Sequence, residues 1–201
     1  MKQILLYILI AAVIVGCITP PQYTEEFPTI EPTQTDDSQM ANNLPDISPT
    51  EEEGVYSNED YGFTMDYPDG WNYAEGFMGS IVAFMSGSEQ NDVFTENVNV
   101  IGQDISASPI SLEEYTTISL SQFEQYLTNF SLISSEDIEI EGNPAHKVVY
   151  TAKQGQFSLK FMQIWTIFDN EVFLFTYTGE LAHFDDYSSQ ASEIMDSFSL
   201  L

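Results

Sequence analysis

The apolar residues of this chain fall into three regimes. An unbroken apolar run of 12 residues, Ile4 to Val15, follows Lys2 and ends at Gly16-Cys17. Residues 18–54 are polar, with six of the nine prolines, nine acids, six threonines and no lysine. From Val55 onward the apolar positions recur with the periods of strands and helices. Tyr61, Phe63, Met65 and Tyr67 alternate with Gly62, Thr64 and Asp66, which predicts a half-buried strand stopped by Pro68-Asp69-Gly70. Ile81 to Met85 and Asn97 to Ile105 read as two further strands. Ser111-Leu112-Glu113-Glu114 has the form of a capping box, because Glu114 stands three residues after the candidate cap. Leu112, Tyr115, Leu120, Phe123, Tyr126 and Leu127 then share one side of a helix drawn at about 100° per residue. An amphipathic helix is predicted over 111–128.

Three strands are expected next. His146, Val148, Tyr150 and Ala152 share a face of the first, and Phe157, Leu159 and Phe161 share a face of the second. A two-residue turn at Gln154-Gly155 pairs even positions with odd ones, so both apolar sets meet on one side of the hairpin. The opposite side then carries Lys147 and Lys160 together. The second strand runs on through Trp165 and Ile167 to Asp169-Asn170 and returns as Val172 to Tyr177. Both faces of this pair are apolar: Met162, Ile164, Phe168, Phe173 and Phe175 on one, Phe161, Trp165, Ile167 and Leu174 on the other. Strands buried on both sides need cover on both sides. Phe184, Tyr187, Ala191, Ile194, Met195 and Phe198 supply a second amphipathic helix over 183–199, with Asp185 and Asp186 complementing the dipole in its first turn. The fold class is therefore α+β, a central antiparallel β-sheet flanked by helices on both faces.

The first two regimes place the third. A basic start and a short apolar run match a secretory signal, and the run is too short for a membrane span of about 20 residues. Ile14-Val15-Gly16-Cys17 resembles the lipobox of prokaryotic lipoproteins, in which the cysteine becomes the lipidated first residue after cleavage. Cys17 is also the only cysteine, so it has no disulfide partner in the chain. Residues 1–16 are read as a lipoprotein signal peptide and 17–54 as a lipid-anchored, acidic, Pro/Thr-rich disordered linker. A coil of that length spans roughly 30–35 Å. Residues 55–201 form the folded domain. Its expected place is extracytoplasmic, anchored by lipid to the outer face of the cytoplasmic membrane.

Charge narrows the partners. The chain has 32 acids against four lysines and no arginine, a net charge of −28. Such a surface repels phosphate backbones and lacks the counterion-release drive for nucleic acid, which excludes that class of partner. It equally opposes adsorption to anionic headgroups, so membrane residence must come from the lipid.

Tyr61-Gly62-Phe63-Thr64-Met65-Asp66-Tyr67-Pro68-Asp69-Gly70-Trp71 is similar to the opening strand and turn of PsbP-like domains. That superfamily includes the extrinsic subunit of photosystem II and a eukaryotic Ran-binding import factor. The later order also fits. A helix near 111–128 precedes a Gly142-Asn143-Pro144-Ala145 turn, two long strands and a C-terminal helix ending in Phe198-Ser199-Leu200-Leu201. The resemblance covers about 55–201. It implies a sheet between helical layers, no shared enzymatic activity, and action by binding or assembling with other proteins, so no catalytic residues carry over.

The residues themselves offer little chemistry. There is no Gly-x-Ser-x-Gly elbow, and only two histidines are present to act as bases. His146 on an apolar strand face reads as a core histidine satisfied by hydrogen bonds. His183, Asp185 and Asp186 are the candidate ligands for a divalent cation, against the plainer reading of a helix start where acids belong. Asn91-Asp92, Glu96 and Asp104 lack the spacing of an EF-hand loop. Asn129-Phe130-Ser131 is a glycosylation sequon. The expected function is a non-catalytic binding or assembly module that contacts an extracytoplasmic protein and needs no cofactor. The alternatives are a lipoprotein that binds a divalent ion or small ligand, and a surface hydrolase.

Overall fold

A computed structural model describes residues 54–87 and 94–201. The signal peptide, Cys17 and the linker up to residue 53 lie outside the described residues, as do Asn91 and Asp92. Ten strands and two helices follow one another among the described residues: β1 (Gly54–Asn58), β2 (Phe63–Tyr67), β3 (Asn72–Glu75), β4 (Val82–Met85), β5 (Asn97–Asp104), α1 (Leu112–Tyr126), β6 (Thr128–Ile140), β7 (Asn143–Gln154), β8 (Phe157–Phe168), β9 (Glu171–Glu180), α2 (Phe184–Asp196) and β10 (Ser199–Leu200). Seven strands make one antiparallel sheet in the order β3-β4-β5-β9-β8-β7-β6, and β1-β2-β10 make a second, three-stranded one.

The predicted two-sided burial of β8 and β9 is what organises the molecule. Met162, Ile164, Phe173 and Phe175 face one core, closed by Phe184, Ala191, Ile194 and Met195 of α2 and by Tyr56, Phe63 and Met65 of the small sheet. Phe161, Trp165 and Leu174 face the other, closed by Tyr115 and Phe123 of α1. The α+β class with helices on both faces holds, and the cover on the α2 side is shared with the second sheet. Each fully buried large apolar side chain in these layers contributes about 1.5–3 kcal/mol from area alone.

Several elements differ from expectation. Gly54, placed at the end of the linker, already belongs to β1. Tyr61 is exposed in the turn before β2, so the strand begins at Phe63. The β7–β8 turn is Gly155-Gln156, one residue later than predicted, with Gln154 paired to Phe157. That shift preserves the even-to-odd pairing and therefore the faces. The last residues of the second predicted helix leave it, and Ser199–Leu200 pair with Phe63 and Thr64 of β2.

The largest difference is β6, a 13-residue strand where none was expected. It forms an edge of the large sheet, and two irregularities hide its period. Between Thr128 and Ser131 it carries one residue more than β7, with Asn129 in the left-handed region at φ 55°. Between Leu132 and Ser134 it carries another, so Ile133 is bulged outward. From Ser134 to Ile140 the pairing with β7 is regular. Ile138 and Ile140 there turn towards the α2-side core.

Candidate functional site

The N-terminal half of α1 stands over the far end of the β6–β7 hairpin. Ser111 fixes that position: its hydroxyl accepts from the Glu114 backbone N–H at 3.2 Å, and Glu114 Oε2 accepts from the Ser111 backbone N–H at 3.0 Å. The Ser111 backbone N–H, first, and the Ser111 hydroxyl, which also donates to Glu114 Oε2 at 3.0 Å, hold the Glu114 carboxyl below its usual pKa. Between α1 and the hairpin lies a cleft of about 540 Å³. Leu112 and Pro144 give it apolar surface, Ile138 and Ala145 line it although their side chains turn to the opposite core, and Glu113, Thr116, Thr117, Asp137 and His146 give it a polar, acidic rim.

His146 joins the cleft to the core. Its ring stacks on Trp165 at 5.5 Å between centroids, and the Trp165 Nε1–H donates to Thr116 Oγ1 on α1 at 2.9 Å. Asp137 Oδ1 lies 2.7 Å from His146 Nδ1, and Ser135 Oγ lies 2.8 Å from Nε2. A carboxylate only accepts, so Nδ1 carries the proton and Nε2 accepts from the Ser135 hydroxyl. The reading of a satisfied core histidine is right, but sequence reasoning missed both partners because β6 was not recognised as a strand.

Serine, imidazole and carboxylate in series is also the order of a nucleophile, its base and the group that orients the base. Two features separate this set from such a triad. The Asp137 side chain is 92% exposed, so water screens the charge that would stabilise an imidazolium. Ser135 lies in the regular part of β6 rather than on a sharp strand-to-helix elbow. The bonds fasten the edge strand to its neighbour.

The expected cation ligands do not converge. Asp185 Oδ1 accepts from Lys160 Nζ at 3.0 Å, while His183 Nδ1 pairs with Asp186 Oδ2 at 3.1 Å. Among the described residues no group of three or more histidine, cysteine or acidic side chains has metal-binding geometry. The bond His183 donates to Asp186, first, and the surrounding acids raise the His183 pKa. Lys160 also lies 4.3 Å above the Phe184 ring, drawn to the start of α2; it shares the expected face with Lys147 but pairs with Thr151, four residues further along β7. Glu96 is buried at the far end of β9, where it accepts from the Glu180 backbone N–H at 3.4 Å. Asp104 instead caps the turn after β5, accepting from the Ser106 backbone N–H at 2.7 Å. Asn129 is exposed at the α1–β6 junction.

Buried phenols mark where the interior is dry. Burial pushes Tyr56 up to about 12, although Asn58 donates to its hydroxyl, which itself donates to Glu75. Tyr150 is driven up further by complete burial beneath α1. Burial first, and then the nearby Asp104 charge, raise the Glu171 carboxyl.

With these elements in place the chain can be set beside known proteins. A family model described as PsbP-like protein matches residues 7–200. The chain belongs to the PsbP-like family. The PsbP-like fold recurs in cyanobacterial PsbP from Synechocystis, at 18% identity and a TM-score of 0.56, covering 80% of this chain and 99% of that one. LpqN of Mycobacterium tuberculosis, described as involved in cell envelope biogenesis, matches at 11% identity and a TM-score of 0.56 over 74% of this chain and 90% of its own. A Pseudomonas aeruginosa protein of unknown function matches at 17% identity and 0.53 over 73% and 95%. No curated protein matches the sequence. PsbP-like proteins are in general non-enzymatic. Among the described residues no helix is long and apolar enough to cross a membrane.

Proposed function

We propose that this PsbP-like protein is a lipid-anchored, extracytoplasmic and non-catalytic module that binds another protein. The observation that carries the reading is the cleft between α1 and the β6–β7 hairpin, where Leu112 and Pro144 lie beside an acidic rim. Apolar area supplies affinity there, while the acids steer a cationic surface to the site and fix its orientation. The whole domain reinforces the steering, since 23 acids stand against three lysines over 55–201 and Lys160 is already paired with Asp185. The lipobox-like run to Cys17 supports the anchor, and the involvement of LpqN in cell envelope biogenesis is consistent with the location.

Cross-linking in intact cells tests the reading directly. Adducts to an extracytoplasmic protein are expected, and they should disappear when Glu113 and Asp137 are both replaced by lysine. A purified protein that hydrolyses an activated ester with ordinary turnover, and loses that activity in Ser135→Ala, would overturn the non-catalytic assignment. The anchor has its own check: Cys17→Ser should move the protein from the membrane fraction to the medium or stall its processing.

A further inference from the structure

Among the described residues the outer edge of β6 has no strand partner, because β6 ends the seven-stranded sheet and pairs there only with β7. Over Ser134–Ile140 it is also regular, so its outward backbone donors and acceptors are spaced to receive another strand. Such an edge invites association unless the sequence manages it. Here the management is selective.

Ser135, Asp137 and Glu139 share the face that carries His146, and Glu136 lies on the opposite face with Ile138 and Ile140. A second copy added antiparallel with faces matched sets Asp137 against itself in the centred register, against Glu139 in the register two residues on, and Glu136 against itself in the register two residues back. Like charges directly opposite destabilise a strand pair, so the edge refuses its own kind. The same positions favour a strand with lysine or arginine at alternate residues, which would meet Asp137 and Glu139 on one side. The basic residues would then point along the acidic rim of the cleft, towards Glu113. Just before this segment the bulged Ile133 and Leu132 are exposed apolar side chains, a place for one apolar residue of the incoming strand.

We infer that Ser134–Ile140 of β6 captures an extended, basic segment of a partner protein as an eighth strand of the sheet. This deepens the protein-binding reading and rests on it. Backbone hydrogen bonds along the edge would hold the segment, and the alternating acids would choose it.

The test uses the full-length protein in detergent and a peptide of alternating lysine and threonine as long as Ser134–Ile140. The peptide should bind, slow amide hydrogen exchange within Ser134–Ile140, and bind several-fold more weakly to a Glu139→Gln, Asp137→Asn variant. A glutamate–threonine peptide should not bind. The same lysine–threonine peptide with alternate backbone amides methylated keeps its charge but cannot pair as a strand, so it should lose binding. Equal binding of the methylated peptide overturns the inference, because charge alone then holds it. Protection appearing only on another surface, no binding of the basic peptide, or self-association through β6 would each overturn it as well. None of these outcomes touches the broader reading, which fails instead if cross-linking in cells captures no extracytoplasmic protein.

Discussion

Trp165 is confined on every side that matters. It is 1% exposed, its ring lies between His146, Tyr115 and Phe123, and its Nε1–H is spent on Thr116. Truncating it removes the contact that ties α1 to the hairpin and leaves a cavity as well as an orphaned hydroxyl. Trp165→Ala should therefore cost about 3–5 kcal/mol in chemical denaturation, the range for large buried aromatics. A loss below about 0.5 kcal/mol, as for an ordinary surface change, would show that this face is not packed as described. A different residue reports on charge. His183 has a pKa raised above its ordinary 6.5, first by the bond it donates to Asp186. A raised value in the fold means the pair stabilises below the unfolded value and fades as pH climbs through the folded one. Titration followed by NMR should place His183 above 6.5, and Asp186→Asn should return it towards that value. An unchanged titration in the variant would refute the pairing.

At the scale of elements, α1 shows how local chemistry and packing divide the work. Its only strong start signal is the Ser111–Glu114 box, and its last turn contains no basic residue. Ser111→Ala should cost about 1 kcal/mol, read as a lower denaturation midpoint with an unchanged slope. No change in midpoint would mean that packing on Tyr115 and Phe123 holds the helix start unaided. The same division explains what the sequence made legible. β7, β8, β9 and both helices were visible because each buries a face, and burial writes a period of two or of 3.6 residues into the chain. β1 and β3 are short and half-exposed, and neither leaves such a trace. Tyr126 matched the helical period yet is exposed, because α1 runs past the edge of the core at its last turn. In β6 the bulges at Asn129 and Ile133 break the alternation, and its edge position leaves most side chains in water. With β6 unread, Ser135, Asp137 and the cleft wall could not be assembled from sequence, although His146 was placed correctly by its own strand.

For the molecule as a whole, charge sets a dependence that no single contact can. Over 55–201 the formal charge is −20, and Lys160 is the one lysine in an ion pair among the described residues. The acids therefore repel one another more strongly in the compact state than in the expanded chain, which works against folding. Added salt screens that repulsion over about 10 Å at 0.1 M. The melting temperature should thus rise between dilute buffer and about 0.15 M NaCl, and rise equally in CaCl2 at matched ionic strength. Equality is what the geometry requires, since His183, Asp185 and Asp186 do not converge and Asp185 is held by Lys160. A rise at micromolar Ca2+ would mean that carboxylates gather around the ion in a way the apo arrangement does not show, and it would replace screening by a defined site. A melting temperature indifferent to both salts would mean that hydration already separates the acids, and the electrostatic argument for a cationic partner would lose its long-range part.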